Sequence, residues 1–159
     1  MNALVRKLVA VLLAATAGCY SSTYHMAPLP DQAVELSSAE LCRIYVLRPS
    51  QGRWNLRRVL VFDGEREIGS IHEGEYLCWE RTPGKSQLTV VYDGPKSEGY
   101  AYTLFDIEAP AGTVSFYGVS LEQGRAQPLV TAMDPTLARE ELALRRPAQP
   151  LETLGKRVE

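Results

Sequence analysis

The chain has 159 residues, a formal net charge of −2 and 45 % hydrophobic residues, enough for one domain with a core of its own. That balance argues against a nucleic-acid binder, which would carry a basic stripe or a strongly basic composition. After the first residues no apolar run approaches about eighteen, so no later segment is expected to cross a membrane as a helix.

Arg6 and Lys7 precede an apolar run over residues 8–17, and Thr16-Ala17-Gly18-Cys19 closes it. Basic, hydrophobic, small, then cysteine is the order of a bacterial secretory signal ending in a lipobox. The apolar run is about half the roughly twenty residues that a bilayer core requires, so it reads as an export signal and not a span. Residues 1–18 are expected to be a lipoprotein signal peptide, with Cys19 the lipidation site and first mature residue. Thr16 stands where Leu is usual, and a plain cleavage after Ala17 or Gly18 is the alternative. Each buried methylene of an acyl chain such as palmitate contributes about 0.8 kcal/mol, so several chains on one cysteine hold firmly. Tyr20, not Asp, follows Cys19, which favours the outer membrane over the inner.

Residues 19–40 read as a flexible tether. They hold Pro28, Pro30 and several Ser and Thr, with no sustained hydrophobic period and too little apolar surface to offset ordering. His25 falls in this stretch.

From 41 to 132 the pattern becomes short β-like runs punctuated by turn residues. Strands are expected over 42–48, 57–62, 67–71, 75–81, 86–92, 100–108 and 113–121. Pro49, Asp63-Gly64, Pro83-Gly84, Asp93-Gly94-Pro95 and Pro110-Ala111-Gly112 mark their ends. The fold class is mainly β: an antiparallel β-sandwich of about seven strands with a short C-terminal helix. Period-two spacing puts Ile44 with Val46, Leu88 with Val90, Phe105 with Ile107, and Val114 with Phe116 on shared faces. Val59, Val61, Ile71, Leu77 and Trp79 join them as expected core. The helix is expected over 133–146, capped by Asp134, with Pro135 in its first turn and Arg145-Arg146 at its negative end. Residues 147–159 read as a loose tail.

Three segments together resemble a known family. Ile44-Tyr45-Val46-Leu47-Arg48-Pro49 opens the domain, and Val61-Phe62-Asp63-Gly64-Glu65-Arg66-Glu67-Ile68-Gly69 follows. Then come Gly74-Glu75-Tyr76 and Pro83-Gly84-Lys85. This order resembles a family of small bacterial envelope lipoproteins with a domain of unknown function, and the same strand logic is similar to PEGA-type and transthyretin-like sandwiches. The resemblance implies a sandwich, an envelope address and a scaffold or adhesive role. It transfers no catalytic residue.

Candidate chemistry is sparse. With Cys19 assigned to lipid, Cys42 and Cys78 remain as an even pair in an oxidising compartment. A disulfide between them is open, against two small buried thiols in separate strands. His72, Glu73 and Glu75 place an imidazole beside two carboxylates, but a zinc site wants three or four converging ligands, and a solvated hairpin loop is the simpler reading. Asp106 and Glu108 share a strand face, spaced as acid–base pairs are, although such a face is commonly the solvent side. Arg53, Trp54, Arg57 and Arg58 form the best candidate partner contact, against a Trp tucked onto the sandwich. Tyr92, Tyr100, Tyr102 and Tyr117 read as ordinary strand tyrosines before a sugar-stacking face. No nucleophile elbow, zinc helix or phosphate loop is present in the sequence, so no enzyme, cofactor, metal or small-molecule substrate is expected.

The function expected is a lipid-anchored, non-enzymatic binding or scaffolding module, attached to the membrane through Cys19 and contacting an envelope protein or peptidoglycan. The alternative is an inhibitor or recognition module for an envelope enzyme of the lysozyme type.

Overall fold

The computed structural model describes the backbone of residues 24–26 and residues 36–50, 58–92, 101–121 and 127–148. Among the described residues, ten strands and one helix run in the order β1 (Tyr24–Met26), β2 (Cys42–Leu47), β3 (Val59–Asp63), β4 (Arg66–Ile71), β5 (Glu75–Arg81), β6 (Gly84–Tyr92), β7 (Ala101–Ala109), β8 (Val114–Ser120), β9 (Leu129–Ala132), α1 (Pro135–Ala143) and β10 (Arg146–Pro147). Two sheets result. The first is ordered β1-β5-β2-β8-β9, with β10 also on β5; the second is β4-β3-β6-β7. The architecture is a mainly β, antiparallel-rich sandwich with a short C-terminal helix, as the turn spacing predicts. Two pairings are parallel, β2 with β8 and β10 with β5.

Alternation of apolar and polar residues builds the layer between the sheets. Ile44, Val46, Val59, Val61, Ile71, Leu77, Trp79, Leu88, Val90 and Ile107 all lie in it, and Phe105 packs at its margin. Ile68 joins them because a bulge between Val61 and Phe62 shifts the β3–β4 register and turns that side chain inward. The β3–β4 connection uses Gly64 at φ +61, the only positive φ in that turn, which marks a hairpin led by glycine.

Val114 and Phe116 do share a face, but it is the opposite one. There they meet Tyr45, Leu47, Tyr76 and Cys78 beneath α1. The first sheet is therefore buried on both sides, which explains the unbroken burial along β2. Tyr45 stacks on Phe116 with centroids 5.0 Å apart, and the Arg139 guanidinium sits 5.7 Å from the Phe116 ring centre. The helix lays Ala138 and Leu142, one turn apart, onto this surface, while Leu137 and Leu144 stay exposed. Asp134 caps it as expected, accepting from the backbone N–H of Thr136 and Leu137. The observed helix, Pro135–Ala143, is shorter than the 133–146 expectation.

Both segments expected to be irregular contribute strands. β1 lies within the predicted tether and pairs with the outer edge of β5, Tyr24 opposite Arg81 and Met26 opposite Trp79. β10 straddles the end of the predicted helix and the start of the predicted tail, and takes the remainder of that edge, Arg146 opposite Glu75. Ala148 then buries itself and donates its N–H to Tyr76 O at 2.8 Å.

Candidate functional site

The ionisable groups inside the sandwich are engaged with one another. Asp63 ends β3 pointing inward and is 1 % exposed. Its carboxylate accepts from Trp79 Nε1 at 2.9 Å, from Arg81 Nη1 at 3.0 Å and from the Ser86 hydroxyl. One carboxylate thus ties β3 and β6 of one sheet to β5 of the other, with both oxygens satisfied. On the helix side of the first sheet, Arg43 and Glu80 are direct cross-strand neighbours, joined at 2.7 Å with both side chains buried. Ser37 donates its N–H and hydroxyl to Glu80. Burial pushes the Glu80 carboxyl up, but Ser37 and Arg43 outweigh it and hold the group below its ordinary value.

Cys42 and Cys78 are both free and buried, so the disulfide left open by the sequence is not formed. Register gives the reason. Cys42 lies opposite Arg81, and Cys78 lies opposite Tyr45, three positions along β2. An odd offset turns the two side chains to opposite faces of the sheet, and three residues span about 10 Å, beyond the roughly 7 Å a bridge allows. Burial raises the Cys42 thiol and pushes Cys78 up to about 12, despite the hydrogen bond with Tyr45 and the nearby Arg43 charge. Such thiols are poor nucleophiles. Iodoacetamide at mildly alkaline pH is expected to leave both unlabelled in the folded protein and to alkylate both in urea, read by intact mass. Fast labelling of either in the native state would contradict this placement.

The His72, Glu73 and Glu75 turn is built for structure. Glu75 accepts the His72 N–H at 2.9 Å, and its other oxygen pairs with Arg146 Nη2 at 3.1 Å. Arg48, from the Arg-Pro of the opening motif, is buried behind this turn and donates to Ile71 O at 3.3 Å. Among the described residues no three His, Cys, Asp or Glu side chains group to hold a metal ion. Asp106 and Glu108 are both exposed on β7. Asp106 accepts from Gln87 Nε2 at 3.0 Å, and Glu108 lies opposite Lys85. Lys85, Ser86, Asp106, Ile107 and Glu108 line an open hollow on β6 and β7.

Of the nominated contact residues, Arg58 is exposed one position ahead of β3. Arg53, Trp54 and Arg57 lie outside the described residues, as do Tyr100 and the lipidation residue Cys19. Tyr117 is buried between the sheets, whereas Tyr102 is 54 % exposed. Tyr102 belongs to a surface the sequence did not single out. Cross-strand register aligns Leu60, Val91 and Tyr102 in one row, and Phe62, Thr89 and Leu104 in the next. These residues face away from the core on the second sheet, whose outer side α1 does not cover. Tyr102 and Leu104, at 54 % and 51 % exposure, are its most open members. Around them stand the polar residues Glu67, Ser70, Gln87 and Asp106. An apolar centre with a polar rim is the anatomy of a protein-contact surface.

Compared with protein-family models, with curated proteins and with solved structures, the chain matches none.

Proposed function

We propose that this chain is a lipid-anchored bacterial envelope protein whose sandwich binds or scaffolds another envelope protein without catalysing a reaction. The lipobox ending at Cys19 supports the anchoring half, and Tyr20 after it favours the outer membrane. The observation that carries the binding half is the outer face of the second sheet, centred on Tyr102 and Leu104, which are exposed among the described residues. A folded partner with a matching apolar patch is the occupant this chemistry fits, because the polar rim disfavours deep insertion into lipid.

Two variants test the halves separately. Cys19→Ser is expected to move the protein from the membrane to the soluble fraction, and unchanged fractionation would count against anchoring. Tyr102→Ser/Leu104→Ser is expected to weaken partner capture by about tenfold or more, since such central side chains carry most interface energy. Folding stability should change by less than about 1 kcal/mol at these exposed positions. Cross-linking in intact cells followed by mass spectrometry reads the outcome. An identical partner set for both proteins would remove this face from the proposal.

A further inference from the structure

β1 changes what the segment before it does as a tether. Tyr24 is held on the edge of β5 opposite Arg81, and Cys19 precedes it by five residues. Five residue steps reach at most about 18 Å, whereas a free tether running to Glu40 would extend to about 75 Å. The register also fixes the end of the sandwich from which the anchor leaves. At the Arg81 end lie the turns at 64–65, 82–83 and 110–112, in which Glu65 and Ala111 are exposed. At the opposite end of the six-residue β4 and the seven-residue β5 lies the turn at 72–74 with exposed His72. Strands of that length separate the two ends by about 20 Å.

We infer that the sandwich stands end-on against the lipid headgroups, with the turns at 64–65, 82–83 and 110–112 facing the bilayer and the turn at 72–74 facing away. This rests on lipidation at Cys19. Covalent reach enforces the orientation; charge does not. Glu65, Arg66, Lys85 and Glu108 mix both signs at the bilayer-facing end, so anionic lipid adds no systematic pull. Tyr102 and Val91 lie near the far end of their strands, so the apolar face is presented away from the headgroups.

The test uses the full-length chain expressed in a Gram-negative host, purified from membranes and reconstituted into phosphatidylcholine vesicles containing brominated lipid. A fluorophore is placed at Glu65→Cys or, separately, His72→Cys, with Ala111→Cys as a second bilayer-facing position should Glu65→Cys fold poorly. The buried Cys42 and Cys78 remain unlabelled. Quenching is expected to be several-fold stronger at 65 and 111 than at 72, and unchanged by phosphatidylglycerol. A long Gly-Ser spacer inserted between Thr23 and Tyr24 should abolish the difference. Equal quenching at both ends, or stronger quenching at 72, on protein whose Cys19 is acylated by mass spectrometry would overturn the orientation and leave anchoring intact. A difference that survives the spacer would overturn the tether as its cause. A bare Cys19 would overturn the anchoring and the orientation with it.

Discussion

Asp63→Ala is expected to lower the unfolding free energy by about 3–5 kcal/mol, because it removes the buried carboxylate that pairs with the Arg81 guanidinium at 3.0 Å. Arg81 is 5 % exposed and Asp63 1 %, so water cannot replace the lost oxygens without opening the sandwich. Trp79 Nε1 and the Ser86 hydroxyl lose their acceptor in the same step. A domain of this size holds about 5–15 kcal/mol in total, so the variant removes a large share. Asp63→Asn keeps the shape and one acceptor oxygen and should fall between the two. Urea denaturation gives the measurement; a midpoint shift equivalent to under about 1 kcal/mol would show the network to be dispensable.

Glu80→Gln is expected to cost about 2–4 kcal/mol at neutral pH, since it removes the carboxylate charge paired at 2.7 Å with the buried Arg43 guanidinium. The pH dependence follows from the position of the Glu80 carboxyl, which is held below its ordinary 4.5 in the folded state. A depressed carboxyl contributes stability that is fully present above the unfolded value. That contribution is lost as pH falls through the folded value. The gap between wild type and Glu80→Gln should therefore be constant above about pH 5 and close progressively below about pH 4.5. Urea midpoints of both proteins across that window check it. A gap that stays constant into acid would mean that the Glu80 charge is not what stabilises the fold.

Strands with strong alternation and firm turn residues were legible in the sequence, and β5 begins and ends where its pattern predicts. The strands that were not legible depend on a neighbour for their existence. β1 and β10 hold three and two residues and draw their hydrogen bonds from the edge of β5; β9 is a four-residue edge strand with only Val130 turned inward. None has a hydrophobic period long enough to read. Period two also says which residues share a face, but not what that face meets. Phe116 therefore read as ordinary sandwich core, although its partner is a helix. The same limit hid the candidate contact surface. Tyr102 and Leu104 alternate with Phe105 and Ile107 along β7, and only cross-strand register shows them beside Leu60, Phe62 and Val91. Cys42 and Cys78 are a third instance, since the parity that separates them follows from a pairing partner and not from composition.

The shared edge of β5 has a consequence for the order in which the chain folds. β10 closes that edge only when Arg146 reaches Glu75, and the parallel β2–β8 ladder waits for Val114 to reach Arg43. Each closure joins residues about seventy positions apart, whereas β3 with β4 and β6 with β7 are local hairpins. A growing polypeptide can therefore form its hairpins early. It cannot seal its first sheet until Arg146 has emerged, which delays the rigid state until late.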